Sequence, residues 1–253
     1  MPYAIVQTSI AKPSEDQLRK AFQQVSWLTD LDAALMARDA YGIIVDNLSY
    51  ARAEAISAAL QTFGVAHCMI DQSAMPELGA RKQLRRMECR PEGPVLYDPL
   101  GRAIPGSWSD VRLVAAGLVG MRKIQRREKQ RVVHRATGWH GGAAPVVVTD
   151  IVEKQIGVDK LVMELYMGDR FSRFRVVADK FHYNYLGDRQ RLAAAENFAL
   201  LVQDITAGAP QAAFSQGVQS LADDQVTTFA YPTEHAFSEE IKWLRWMRSQ
   251  NSR

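Results

Sequence analysis

The hydrophobic pattern of this 253-residue chain changes its period near residue 72, and this change constrains the fold more than any other feature. Before that point, short β-prone runs at 3–9, 41–47 and 65–71 alternate with segments whose apolar residues recur at i, i+3, i+4 and i+7. Such spacing predicts helices that bury one face. The order of elements predicts a small α/β sandwich over residues 1–72, either ferredoxin-like or of split βαβ type.

The helices of this first part carry recognisable end signals. Ser14 with Gln17 matches a capping box, Ser49 is an N-cap residue, and Gly64 stands where a left-handed C-terminal residue belongs. These signals predict two well-bounded helices and a shorter one between them. Their apolar residues are Leu18, Ala21, Phe22, Val25; Leu31, Ala34, Leu35; and Ile56, Ala59, Leu60, Phe63.

Beyond residue 72 the sequence predicts a linker and then a β-rich region. Small and polar residues with Pro76 and Gly79 predict an interdomain linker at 73–83. A strong helix is predicted from about Leu192 to Thr206, and residues 209–253 form a C-terminal extension. The predicted strands between linker and helix are 84–90, 94–98, 110–119, 144–152, 160–167, 170–177 and 180–186.

The passage GPVLYDPLGRAIPGSWSDVRLVAAG, residues 93–117, resembles a phosphate-binding loop in its glycines and polar residues. A phosphate loop leads into a helix N-terminus, whereas Trp108 and Ser109 lead into a predicted strand. Pro99 and Gly101 are typical of the turn between two strands. We therefore predict a turn and no phosphate site.

A run of antiparallel strands closed by one helix resembles the pleckstrin-homology-like barrel, over roughly residues 84–208 with an insertion at 120–143. The passage 93–117 is similar to the strand, turn and I-P-x-x-W-x-D-V passage of bacterial members of that superfold. With DKFHYNYLGDR and AAENFALLVQDI, the whole chain resembles an uncharacterised bacterial two-domain family. The resemblance implies an α+β fold, a β-barrel closed by a C-terminal helix, and a non-catalytic binding or scaffold role.

The residues that most often carry chemistry are scattered in this sequence. Cys68 and Cys89 lack CxxC spacing, and the His134–His140 separation across a glycine-rich segment does not suit a metal-binding helix. His67 and Cys68 are neighbours in a predicted strand, so they point to opposite faces. Neither a catalytic motif nor a signal peptide or membrane span occurs. We therefore predict a cytoplasmic protein that is not an enzyme and uses no cofactor or metal.

Charge is distributed unevenly along the chain. Between Arg81 and Arg135 there are fourteen basic and five acidic residues, a local charge of +9 in a chain of net charge +3. The densest part, 121–135, is read either as a solvated loop or as a contact surface for an anionic partner. The candidate contact residues are Arg122, Lys123, Arg126, Arg127, Lys129 and Arg131.

The C-terminal segment 237–250 predicts an amphipathic helix with Trp243 and Trp246. It either docks within the molecule or offers its tryptophans to a partner groove or membrane surface. The leading functional hypothesis is an adaptor or regulatory module that binds a protein partner, with anionic lipid possible. The alternative is a nucleic-acid-associated protein that uses segment 121–135, although this segment lacks interleaved stacking aromatics.

Overall fold

The computed structural model describes residues 1–137, 142–222 and 229–251, and within 122–156 it describes the main chain alone. The helices of the described residues are α1 (Glu15–Gln23), α2 (Asp30–Asp39), α3 (Tyr50–Thr62), α4 (Ala194–Gly208), α5 (Gln216–Ala222) and α6 (Glu234–Asn251). The strands are β1 (Tyr3–Gln7), β2 (Ile43–Leu48), β3 (His67–Asp71), β4 (Arg81–Gln83), β5 (Met87–Arg90), β6 (Gly93–Tyr97), β7 (Ala103–Pro105), β8 (Val111–Thr137), β9 (Gly142–Met167), β10 (Ser172–Val177), β11 (Ala213–Phe214) and β12 (Ala230–Tyr231).

The first part of the chain forms a three-stranded antiparallel sheet in the order β2-β1-β3. Successive side chains of β1 point to opposite faces of the sheet. Ile5 packs against α1, α2 and α3, whereas Ala4 and Val6 face α6. The capping box of α1 is present, and the Ser14 N–H donates to Gln17 Oε1 at 3.3 Å. The predicted strands and helices of this part are therefore confirmed, to within about two residues at most boundaries. The apolar face predicted for the second helix is wrong, because Leu31 and Leu35 of α2 are exposed and its buried residues are Ala33 and Ala37.

A six-stranded sheet forms the centre of the molecule, with the path β11-β8-β9-β10-β4 and β12 also paired to β8. Residues such as Met163 and Leu165 face α4 and α5, whereas Val162 and Tyr166 face α6. Helix α6 is therefore enclosed between the two sheets. Trp243 fixes it there, because its Nε1 donates to the Gln7 carbonyl at 2.8 Å.

The third sheet, β5-β6-β7, contains the turn predicted within residues 93–117. The Gly101 N–H donates to the Asp98 carbonyl at 2.9 Å, and Gly101 has φ +79°, in the left-handed region that favours glycine. Asp98 Oδ1 also accepts from the Leu100 and Arg102 N–H groups, both at 2.9 Å. The prediction of a turn is confirmed, with one short 3-10 helix, Trp108–Asp110, before β8.

One predicted strand of the β-rich region is wrong, and two others are joined. Residues 180–186 form no strand, because no strand of the described residues pairs with them beyond an isolated bridge from Arg86 to His182. Short 3-10 helices occur there instead. The segment 120–143, predicted as an insertion, consists largely of the paired ends of β8 and β9. Strand β9 joins the predicted strands 144–152 and 160–167 into one.

The fold is of the mixed α+β class, with several sheets and no closed barrel among the described residues. Helix α4 occurs where the sequence predicts it. The division at 73–83 stays a prediction; the end of that segment is β4, which pairs in parallel with β10. No helix in the described part of the chain is both long and apolar enough to cross a membrane.

Candidate functional site

The strands β8 and β9 extend beyond the central sheet as a two-stranded ribbon. Among the described residues, the pairing of 122–137 and 142–157 is only between these two strands. The ladder is continuous from Met121 opposite Val158 to Thr137 opposite Gly142. Sixteen strand residues correspond to about 50 Å. The basic segment predicted from sequence therefore forms one side of a long ribbon.

The register of the ribbon gathers most of its positive charge on one face. Residues directly opposite each other share a face, and successive residues alternate between faces. The odd-numbered residues of β8 therefore share a face with the even-numbered residues of β9, and we call this the basic face. It carries six basic positions and one acidic position, Asp150. The basic positions are Lys123, Arg127, Lys129, Arg131, Arg135 and Lys154.

The opposite face of the ribbon is close to neutral. It carries Arg122 and Arg126 together with Glu128 and Glu153, and the register sets Arg126 opposite Glu153. The basic face of the ribbon thus has a net charge of +5, and the opposite face has no net charge. Of the six basic residues predicted to contact a partner, Lys123, Arg127, Lys129 and Arg131 lie on the basic face and the other two do not.

The two tryptophans predicted as contact residues lie in the interior. Trp243 is completely buried and packs edge-on against Tyr41 with ring centroids 5.0 Å apart, and Trp246 is 7% exposed. Both belong to the cluster of buried residues around α6. Of the two alternatives for this helix, docking within the molecule is the one that describes their position. In the folded protein, neither ring offers a surface to a partner.

A cavity of about 700 Å³ lies at the base of the ribbon. It is lined by Gly120, Met121, Gly157 and Asp159 of the two strands and by residues 232–235 at the start of α6. A Cβ atom at Gly120 would lie 2.4 Å from the Pro232 carbonyl oxygen, so this glycine allows the chain to pass close to the strand. The ribbon therefore leaves the body of the protein beside the first turn of α6.

A buried ion network anchors β9 close to this base. Glu164 is completely buried; its Oε2 accepts from Arg173 Nε at 2.6 Å, and its Oε1 accepts from Arg173 Nη2 and Arg175 Nε, both at 2.8 Å. Tyr166 Oη donates to Glu164 Oε2 at 2.9 Å. Arg175 also donates to Glu234 Oε1 at 2.7 Å, which links β10 to α6.

The charges of this network support one another. Burial disfavours the Glu234 carboxylate, yet Arg175 and Arg81 together hold its pKa below the usual range. Burial raises the pKa of the Tyr166 hydroxyl, and the neighbouring Glu164 raises it further. These groups pair chiefly with each other, and Arg175 Nη2, which makes no hydrogen bond, still lies 2.6 Å from Glu164 Oε1. Such mutual pairing is typical of a structural network.

The remaining candidates for chemistry are separated in space. His67 Nε2 lies 2.8 Å from Ser57 Oγ, whereas Cys68 packs toward α6, so the two neighbours point to opposite faces as predicted. His134 lies in β8, and His140 lies outside the described residues. Burial raises the pKa of the Cys89 thiol to about 12. No group of His, Cys, Asp or Glu in the described part of the chain is arranged to hold a metal ion.

Comparison with known proteins adds no relative from which to assign a function. No family model, curated protein or solved structure matches this chain.

Sequence reasoning missed the separation of charge on the ribbon, although a signal for it was present. Arg127, Lys129 and Arg131 alternate with other residues at a period of two, which is the period of a strand. When 121–135 is interpreted as a loop, this alternation has no structural meaning, so it was not used. The contribution of Lys154 to the same face becomes visible only through the register with Gln125.

Proposed function

We propose that the protein binds duplex nucleic acid through the basic face of the β8–β9 ribbon. The observation that carries the proposal is the net charge of +5 on one face of a two-stranded ribbon about 50 Å long. The major groove of B-DNA admits a two-stranded β-ribbon, and phosphates on both sides of the groove attract cations. The ribbon supplies a docking geometry that a basic loop lacks.

Duplex nucleic acid fits this ribbon better than single strands do. Single-strand binders stack bases on aromatic side chains, and residues 121–137 and 142–158 contain no Phe, Tyr or Trp. A two-stranded ribbon is also only marginally stable alone in water. A partner that covers one of its faces would therefore favour the extended form.

The adaptor role remains a second hypothesis without an observation that favours it. In the sequence it depended on the alternative in which Trp243 and Trp246 contact a partner, and both rings are buried. Membership of the bacterial two-domain family, the ferredoxin-like or split βαβ sandwich and the pleckstrin-homology-like barrel likewise stay proposals. The support for the barrel is the helix α4, whose Phe198 packs on the central sheet.

The test compares two double variants that remove the same charge from opposite faces. Arg127→Gln with Arg131→Gln neutralises the basic face, and Arg122→Gln with Arg126→Gln is the matched control. Loss of two phosphate contacts should flatten the slope of log K against log salt by about 1.8. We expect this change for the first variant, and a clearly smaller one for the control, when binding to a 20-base-pair duplex is followed by fluorescence anisotropy.

Three outcomes would contradict the proposal. The first is equal effects of the two double variants, which would mean that overall charge matters and the face does not. The second is the absence of salt-dependent duplex binding by the wild-type protein. The third is binding to anionic vesicles of phosphatidylserine with no binding to the duplex, which would assign the ribbon to a lipid surface.

A further inference from the structure

Strand β3 forms an open edge of the three-stranded sheet. Among the described strands it pairs with β1 alone, and each of its five residues keeps part of its surface exposed. An edge strand presents unpaired N–H and carbonyl groups that can pair with a strand of another chain. Proteins usually protect such edges by short strands, charged side chains, proline or irregular pairing.

The other sheet edges in the described part of the chain carry these protective features. Strands β11 and β12 have two residues each, β4 contains Arg81 and Lys82, β5 ends at Arg90, and β7 ends at Pro105. Strand β2 pairs irregularly with β1, and its Asn47 has φ +55°. The two strands of the ribbon carry charged residues along their length. Strand β3 is the exception, because its register with β1 is regular and its three central residues are uncharged.

The register with β1 determines which main-chain groups of β3 face outward. The Thr8 N–H donates to the Ala66 carbonyl at 3.2 Å, just before β3 begins. Hydrogen-bonded positions alternate along an antiparallel ladder, so the even-numbered residues of β3 bond to β1. The N–H and carbonyl groups of His67, Met69 and Asp71 therefore point away from β1, and no strand of the described residues pairs with them.

We infer that β3 pairs with β3 of a second copy of this chain, antiparallel about a two-fold axis at Met69. In this register Met69 bonds to its equivalent and His67 bonds to Asp71 of the second copy, with about six main-chain hydrogen bonds in all. Cys68 lies directly opposite Ile70 of the second copy, and this apolar pair is on the face that packs toward α6. The two sheets thereby join into one sheet of six strands, three from each copy.

A second copy is the partner that fits, because β3 is complementary to itself in this register. Asp71 lies opposite His67, so no like charges face each other, whereas an axis at Asp71 would oppose two carboxylates. The edge is also held in place before pairing, since the His67 ring lies 2.8 Å from Ser57 Oγ and 2.7 Å from the Val65 carbonyl. A pair of five-residue strands is smaller than the interface of a stable complex, which is about 1,200 Å² or more. We therefore expect a dimer that dissociates on dilution.

Sedimentation velocity of the full chain without nucleic acid tests this inference independently of the ribbon. We expect the wild-type protein to change from monomer to dimer between about 1 and 300 µM, as a small interface implies. Met69→Pro removes an outward N–H at the axis and leaves the bonds to β1 in place, and proline is tolerated at such an edge position. It should weaken association about tenfold or more. The matched control Met69→Leu keeps the N–H and should associate as the wild-type protein does.

A cross-link makes the test independent of whether the proline variant folds. Cα atoms of a directly opposed, non-hydrogen-bonded pair are about 4.5 Å apart, which is within disulfide range. Ile70→Cys should therefore form a covalent dimer through Cys68 of the second copy under mild oxidation. Leu31→Cys, exposed on α2, is the control for random collisions. A wild-type protein that stays monomeric at about 300 µM would overturn the inference. So would equal association of the two folded Met69 variants, or equal cross-linking of the Ile70→Cys and Leu31→Cys proteins.

Discussion

Replacing Glu164 by Gln tests whether the buried ion network holds the central sheet to α6. Glu164 accepts hydrogen bonds from Arg173, Arg175 and Tyr166, and it is completely buried. The amide keeps the shape of the side chain, but it removes the negative charge and leaves one acceptor oxygen where two are used. Arg175 retains the Glu234 carboxylate, whereas Arg173 keeps no carboxylate partner among the described residues and has the Gly79 carbonyl at 3.4 Å.

The expected loss of stability follows because Arg173, unlike Arg175, keeps no carboxylate to balance its buried charge. Removing one partner of a buried ion pair costs about 3 to 5 kcal/mol, because the other charge remains buried without compensation. The Arg173 side chain is 7% exposed, so water reaches it poorly. We expect a value in the upper half of that range, since one carboxylate serves two buried guanidinium groups.

The measurement is reversible urea unfolding of the wild-type protein, Glu164→Gln and the control Asp16→Asn. Asp16 pairs with Arg19 at 3.2 Å on the surface, where its side chain is 73% exposed. Exposed pairs of this kind contribute about 0 to 1 kcal/mol. A loss below about 1 kcal/mol for Glu164→Gln, similar to that of the control, would refute the reasoning about buried compensation.

Two further predictions concern the core. Phe198→Ala should destabilise the protein by about 3 to 5 kcal/mol in a denaturant titration, because the ring is completely buried between α4 and the sheet, and a loss below about 1 kcal/mol would contradict that role. Burial raises the pKa of Glu240 above its ordinary 4.5, against the hydrogen bonds from Tyr231 and the Gln216 N–H. The folded state therefore binds more protons than the unfolded state, and stability should fall as the pH rises from about 4.5 through the folded pKa. The Glu240→Gln variant should lack this decline in stability. A pH profile of unfolding that is the same for the variant and the wild-type protein would contradict the prediction.

Much of the fold could be predicted because its signals are local. The helical spacing of Leu18, Ala21 and Phe22 and the cap at Ser14 predict α1, and these three side chains are buried in the structure. The turn at Asp98–Gly101 follows from the backbone preferences of proline and glycine. These features depend on neighbours within a few residues, so the sequence contains nearly all the information that they need.

Features that depend on pairing were predicted less well. The alternation of Phe181 and Tyr183 is typical of a strand, and both side chains are buried, but no strand in the described part of the chain pairs with them. In contrast, segment 120–137 reads as a charged loop, yet it extends β8 because β9 pairs with it. A strand needs a partner for its N–H and carbonyl groups, and a single segment does not contain that information.

The sequence by itself determined five of the six described helices, with α5 the exception, most of the described strands, the turn and the presence of a basic segment. Only the tertiary structure decided that this segment has a basic and a neutral face, and that Trp243 lies between two sheets. It also brought Arg81, Glu164 and Glu234 within ion-pair distance, although they are far apart in the chain. Burial and register are set by contacts between distant segments, whereas helix periodicity and turn chemistry are set by adjacent residues.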